Sequence, residues 1–321
     1  MCTALNSRTC FGRNLDVDFS FREEVVITPR RFLFRLKNGS EYRTRYGLIG
    51  TAAVVEGTPL YYEVCNEKGL CMAGLNFPES ARYAQPEAGR DNITVSELLP
   101  WIVGQSGDLG EARQLLERLN LTGIPFGPEL PPSPMHFLLG DGSGSLVLEP
   151  TGEGLKVYEN PYDTLTNEPP FPYHLWNLRN YRHLGRENGD NRFSGSYPLE
   201  AYAVGMGAGG LPGDCSSASR FVRAAFHLAN SRWSGASGAD TAQFFHVLDA
   251  VAMPKGSVVT KSGKDDITLY SCCYHRGEHT YYYKTAENSR LTAVKLTEAM
   301  LTGDSLTRYP LRREPDILYE N

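Results

Sequence analysis

Hydrophobic patterning along the chain switches from strand-like to helix-like and back, twice over, and that order limits the folds open to it. Strand-like stretches come first: Glu24–Thr28, Arg31–Leu36, Gly47–Val55, Tyr61–Val64 and Leu70–Asn76, rich in β-branched and aromatic residues with turn residues between them. Two helices are expected next. One has Ser96 as N-cap and runs through LLPWIVG; the other opens at Asp108 and carries Ala112, Leu115, Leu116 and Leu119 at helical spacing. After a proline-rich loop, Ile124–Pro134, the stretches His136–Leu139 and Ser145–Glu149 flank GDGSG, a hairpin signal. Asp214 or Ser216 is then positioned to cap a helix through Asn230, with Phe221, Ala225 and Leu228 on one stripe. A further helix spans about Asp240–Met253, and strands return at Ile267–Tyr274, His279–Lys284 and Leu291–Leu296. The regular βαβ alternation of a doubly wound parallel sheet is missing, so antiparallel sheets covered by helices fit better. No internal repeat, low-complexity tract or linker interrupts the 321 residues, so one domain spanning 1–321 is expected although the length also allows two.

Charge and composition exclude several function classes. With 32 basic against 37 acidic residues the net charge is −5, which leaves no basic face for a nucleic-acid partner. No apolar run approaches the ~20 residues that span a bilayer; the stretch Tyr46–Val55 is short and carries two glycines. The opening MCTALNSRTC lacks the basic and apolar regions of a secretory signal, so a cytoplasmic protein without a membrane partner is expected. Seven cysteines, an odd number with no CxxC pair, argue against a disulfide framework or a zinc knuckle.

Most familiar chemistry finds no foothold. Gly205-Met-Gly-Ala-Gly-Gly210 matches GxGxxG formally, but Leu211-Pro212-Gly213-Asp214 follows at once and prevents a helix from opening there. The seven histidines show no metal-ligand spacing, and a GxSxG elbow is absent. Neither cofactor nor metal is expected. Cys2 remains. If the initiator Met is removed, an N-terminal cysteine carries a nucleophile and a base on one residue: a thiol near pKa ~8.5 and an α-amine near ~7.7–8.0. A cysteine at this position is weak evidence by itself, and requires companions elsewhere in the chain.

Those companions are present. The chain resembles the choloylglycine hydrolase family, the bile salt hydrolases and penicillin V acylases of the N-terminal-nucleophile hydrolase superfamily. The resemblance begins at Met1-Cys2-Thr3 and Phe11-Gly12-Arg13-Asn14-Leu15-Asp16. It continues through Asn66-Glu67-Lys68-Gly69-Leu70, Ala73-Gly74-Leu75-Asn76-Phe77-Pro78 and Leu165-Thr166-Asn167-Glu168-Pro169. Leu211-Pro212-Gly213-Asp214, Ser219-Arg220-Phe221 and Phe244-Phe245-His246 complete a series that covers nearly the whole chain.

The resemblance implies an α+β fold, a four-layer αββα sandwich of two antiparallel sheets flanked by helices, and a mature chain beginning at Cys2. It implies hydrolysis of the amide bond in glycine- or taurine-conjugated bile salts through a thioester, with penicillin V acylase activity, or a non-catalytic steroid- or acyl-binding role on the same scaffold, as alternatives. Cys2 would be the nucleophile, Asp16 would orient its α-amine, and Arg13 would favour the thiolate. Without the resemblance, Arg13 and Asp16 would read as a buried ion pair in a strand turn. Asn76 and Asn167 would form the oxyanion hole, and Arg220, in preference to Arg223, would reach back to the Cys2 sulfur. Leu15, Tyr62, Phe126 and Leu130 would face the apolar acyl group, Tyr62 standing where a smaller residue is expected. By the same analogy a homotetramer is expected, with Gly185–Ala203 as the subunit-contacting loop.

Overall fold

The computed structural model describes residues 1–321, and its layers follow from which faces of two sheets are apolar. The first sheet runs, edge to edge, through Thr164–Leu165, β1 (Cys2–Asn6), β2 (Cys10–Val17), Ile267–His275, Thr280–Thr285 and Thr292–Lys295, each neighbour antiparallel. The second runs through Gly154–Glu159, Gly144–Thr151, Met135–Asp141, Cys71–Asn76, Glu63–Asn66, Leu48–Val55, Glu24–Thr28 and Thr307–Pro310, with Thr58–Tyr61 also paired to Leu48–Val55. Helices α1 (Leu98–Gln105) and α2 (Leu109–Arg118) cover the outer face of the second sheet. Helices α3 (Phe171–Leu178), α4 (Ser217–Asn230) and α5 (Ser237–Asp249) lie on the side of the first, and α6 (Glu298–Leu301) packs near Glu24–Thr28.

Three separate apolar cores occupy the three spaces between these four layers. Phe11, Leu15, Ile27, Leu75, Leu138 and Tyr281 fill the space between the sheets. Leu48, Val64, Met72, Leu98, Ile102 and Phe137 join the second sheet to α1 and α2. Leu5, Cys10, Cys273, Ala224, Phe244 and Val247 join the first sheet to α4 and α5. The αββα sandwich implied by the resemblance is therefore the observed architecture. No helix is long and apolar enough to cross a membrane.

Boundaries differ from expectation in ways that bear on function. β1 and β2 were not read individually from the sequence, because Asn, Asp, Gly and Arg in CTALN and CFGRNLDV depress strand propensity. Burial explains those residues: Gly12 is required where a Cβ would lie 1.9 Å from the Cys272 carbonyl oxygen, and Asn14 donates to the Leu248 carbonyl at 2.9 Å. The expected strand Tyr61–Val64 is broken. Thr58–Tyr61 and Glu63–Asn66 pair with Leu48–Val55 in registers that differ by one residue, and Tyr62 is the residue left between them. Helix α1 begins after Glu97 rather than at Ser96. The Glu97 carboxylate accepts from the Lys37 and Thr94 N–H groups, and no side chain caps the helix. Ser216, not Asp214, is the N-cap of α4, accepting from Ser219 N. Helix α5 begins three residues and ends four residues before the expected Asp240–Met253, and α3 was not anticipated, its first turn carrying a proline, which is well tolerated there.

Candidate active site

Cys2 is the first residue of β1 and directly opposes Leu15 of β2, so both side chains face the second sheet. The residue is 3% exposed and lines a cavity of about 330 Å³ together with Arg13, Leu15, Tyr62, Gly74 and Asn76. Its N–H donates to Asn167 Oδ1 at 2.8 Å, and its carbonyl accepts from Arg220 at 2.5 Å. Met1 precedes β1 and hydrogen-bonds to the backbone of Asp16. Its ammonium donates to the Asp16 carbonyl at 2.6 Å and to Asp266 Oδ2 at 3.2 Å, while its carbonyl accepts from Asp16 N–H at 3.0 Å.

Arg13 and Asp16 lie on opposite faces of β2, since three residues along a strand reverse the side chain. Arg13 points between the sheets. It donates to the Tyr62 and Gly74 carbonyls at 3.1 and 2.6 Å, its Nε is 3.9 Å from Glu63 Oε2, and one terminal nitrogen has no partner. Burial pulls its guanidinium down, but its neighbours Cys2, Tyr270, Glu63 and Cys272 outweigh that and hold it above its ordinary value. Its ion-pair partner is thus Glu63, which also accepts from the Tyr270 and Tyr281 hydroxyls at 2.8 and 2.5 Å, so the Arg13–Asp16 pair expected in the absence of the resemblance is not formed.

Asp16 faces the helical layer. Its Oδ1 accepts from Thr268 Oγ1 at 2.6 Å, and its buried Oδ2 has no partner. Burial raises its carboxyl, against the opposing pull of Arg220, Thr268 and the amino terminus. The expected bond from Asp16 to the Cys2 nitrogen is not formed while Met1 is in place; that nitrogen is a peptide N–H and has one hydrogen to give, to Asn167.

Arg220, fully buried on α4, was expected at the Cys2 sulfur. It instead donates to the Cys2 carbonyl, Thr3 Oγ1, Asn167 Oδ1 and the Cys215 carbonyl, holding the backbone from the helical side. Burial lowers its guanidinium while Asp16 and Cys2 act in the other direction. Arg223 takes the Pro212, Asp214 and Ala250 carbonyls and does not reach Cys2.

Asn167 is gripped from every side. Its N–H donates to Ser217 Oγ at 2.8 Å, its carbonyl accepts from His174 Nε2 at 3.0 Å, and Nδ2 donates to the Asn76 carbonyl at 2.8 Å. One amide hydrogen remains. The side chain of Asn76, at the exposed end of its strand, makes no hydrogen bond within the protein. His136 Nε2 holds the neighbouring Thr166 carbonyl at 3.0 Å, its other nitrogen 3.1 Å from Glu149, and its ring stacks 4.2 Å from Phe77. Sequence reasoning set both histidines aside for lack of ligand spacing; their use is as buried clamps on the Thr166–Asn167 backbone. No group of three or more His, Cys, Asp or Glu side chains is arranged to hold a metal ion, and Gly205–Gly210 forms a 3₁₀ turn with no strand before it.

Of the expected acyl-facing residues, Leu15 and Tyr62 line the Cys2 cavity. Phe126 and Leu130 do not; they line a neighbouring apolar cavity of about 280 Å³, where Phe126 N–H donates to the Leu130 carbonyl at 3.1 Å. Tyr62, Phe21, Ser133 and Met135 stand in the walls of both. Glu63, Thr268 and Asp266 contact Arg13, Asp16 and the amino terminus respectively, and the sequence did not flag them. A signal for the last two was available in the acidic pair of KDDIT preceding an otherwise apolar strand.

Residues 2–309 match the family model described as linear amide C–N hydrolases, choloylglycine hydrolase family. A bile salt hydrolase/transferase from Lactiplantibacillus plantarum is 44% identical over 98% of this chain and 98% of its own. The crystal structure of a variant conjugated bile acid hydrolase from Clostridium perfringens superposes with a TM-score of 0.91, 33% identity and full coverage of both chains. A penicillin V acylase structure from Agrobacterium tumefaciens shares the fold, with a TM-score of 0.78 at 17% identity over 98% of this chain and 92% of its own.

Proposed function

The chain belongs to the choloylglycine hydrolase family, enzymes that hydrolyse linear amide C–N bonds, and from that premise we propose that it cleaves glycine- or taurine-conjugated bile salts to free bile acid and amino acid. Removal of Met1 makes the Cys2 nitrogen an α-amine. That amine takes the Sγ proton, sulfur attacks the acyl carbon, and negative charge develops on the carbonyl oxygen. The free hydrogen of the Asn167 amide and the unpaired Asn76 side chain are the donors available to that oxygen. The C–N bond breaks as the amine returns the proton to the departing glycine or taurine. Water, deprotonated by the same amine, then attacks the thioester, releases the bile acid and restores the thiol. Arg13 favours the thiolate by charge, Asp16 accepts a hydrogen from the new α-amine, and Arg220 fixes the Cys2 carbonyl so that the nucleophile keeps its place.

The observation that carries this reading is Cys2 itself, buried by packing yet lining a cavity walled by Leu15, Val17, Phe19 and Tyr62. Such a cavity suits a steroid, for which every 100 Å² of apolar surface withdrawn from water contributes about 2.5 kcal/mol. The test is a side-by-side assay of glycocholate, taurocholate and penicillin V on the processed enzyme. Steady release of glycine and taurine exceeding penicillin V hydrolysis is expected; saturable bile-salt binding with no amino acid released would make the protein a binder instead.

The same thioester supports a second reaction. Relatives named hydrolase/transferase suggest that an amine can intercept the acyl group in place of water, forming a new amide and regenerating the thiol. A homotetramer is also proposed. Phe193, Tyr202 and Val204 are 81, 89 and 95% exposed in or beside the 185–203 loop, a concentration of apolar surface that a partner subunit would cover. All seven cysteines are free, consistent with a reducing, cytoplasmic setting.

A further inference from the structure

Two carboxylates surround the amino terminus, and the mechanism above uses only Asp16. The second, Asp266, enters the strand Ile267–His275 from a turn that is tied by its own N–H to the Val258 carbonyl at 3.0 Å. Its side chain is 7% exposed, Oδ2 accepts the Met1 ammonium at 3.2 Å, and Oδ1 is buried without a partner. A carboxylate so placed is costly unless a cation stays beside it. Processing removes the one cation it touches.

The charge does not vanish with Met1; it moves one residue along, to the Cys2 nitrogen. That nitrogen acquires three hydrogens where it had one. Asn167 Oδ1 already accepts one of them at 2.8 Å. The buried, unpartnered Asp16 Oδ2 and the Asp266 Oδ2 released by Met1 are the two acceptors left for the others.

We propose that Asp266 is a positioning residue for the reaction: in the processed enzyme it binds the Cys2 α-amine and raises the pH at which that amine becomes a base. This inference rests on Cys2 being the nucleophile. The charged and titratable groups facing the amine are Arg13 and Asp16 from β2, Arg220 from α4 with Cys215 just before it, and Asp266. Asp18 and Tyr62 stand further along the same cavity, and Glu63 lies behind Arg13. Arg13 and Arg220 repel the proton on the amine, while Asp16 and Asp266 retain it. Removing one carboxylate charge tips that two-against-two balance toward the deprotonated form, whichever of sulfur and nitrogen holds the remaining proton.

The experiment is Asp266→Asn, with intact mass confirming loss of Met1 and kcat/KM for glycocholate measured against pH. The acid limb is expected to move down by about one pH unit, and the pH dependence of Cys2 alkylation by iodoacetamide, which needs no substrate, moves with it. Asp266→Ser, smaller and equally neutral, gives the same displacement should the Asn variant fold poorly, and Asp266→Glu keeps the limb near its original position. Rates lowered at every pH with both limbs unmoved, or limbs moved upward, would overturn the proposal. Turnover by Cys2→Ala would instead overturn the nucleophile on which it rests, and the two failures are therefore distinguishable.

Discussion

At the scale of single residues, the site is built from side chains that approach Cys2 from both faces of one strand pair. Cys2→Ser retains the shape of the site but replaces a thiol by a hydroxyl that hardly ionises near neutral pH. Turnover of glycocholate is expected to fall at least about a thousandfold, and a near-native rate would remove Cys2 from the mechanism. The two arginines of α4 separate cleanly: Arg220→Lys gives up a planar fork that bonds four groups, and kcat should drop by about tenfold or more. Arg223→Ala should stay within about twofold because Arg223 holds only the Pro212, Asp214 and Ala250 carbonyls. Equal losses in the two variants, measured as kcat at saturating substrate, would contradict the geometry. Tyr62→Ala opens the wall shared by the two cavities, so KM should respond differently to bulky and slender acyl groups while the pH profile stays fixed. An unchanged acyl preference would show that the cavities do not act together.

At the scale of elements, the motifs were legible wherever a local rule produced them. The α4 N-cap, the Asp108 cap of α2 and the hairpin around GDGSG all follow from residues adjacent in sequence. β1 and β2 were hidden because their polar residues answer to distant partners, Asn14 to Leu248 and Arg13 to Glu63, and no local pattern encodes those. The pairing of Asp266 with the amino terminus, across the full width of the sequence, was hidden for the same reason. Helix α3 illustrates what such long-range work does. Its His174 is pushed down to about 4 by burial, opposed by its bond to the Asn167 carbonyl, so the folded protein keeps the ring neutral where an unfolded chain would protonate it. The unfolded state therefore binds more protons between pH ~6.5 and the folded value, and stability falls as pH drops through that window, by roughly 3 kcal/mol at the bottom of it. Thermal melts at pH 7 and pH 4.5 on wild type and His174→Gln should show a smaller acid loss in the variant. An identical loss would place the acid sensitivity elsewhere.

At the scale of the whole molecule, four layers enclose three cores, and the site sits at the margin of the innermost one. There the end of the first sheet meets the second sheet on one face and α4 on the other. That location explains how Cys2 is at once rigidly held and open to substrate. Antiparallel sheets covered by helices were readable from the succession of strand-like and helix-like segments, and the four-layer order from the family resemblance; the faces on which Arg13 and Asp16 project required the register of β1 on β2. The exposed apolar loop predicts assembly: light scattering should give four times the 35.6 kDa chain mass, and Tyr202→Glu with Val204→Glu should lower it. A monomeric wild type would contradict the tetramer without touching the chemistry. The chemistry itself is tested most directly by preparations that differ only in the fraction of chains retaining Met1, with intact mass and glycocholate turnover measured on each. Activity is predicted to scale with the Cys2-initiated fraction and to extrapolate to none when every chain keeps Met1; full turnover by the Met1-bearing form would contradict it.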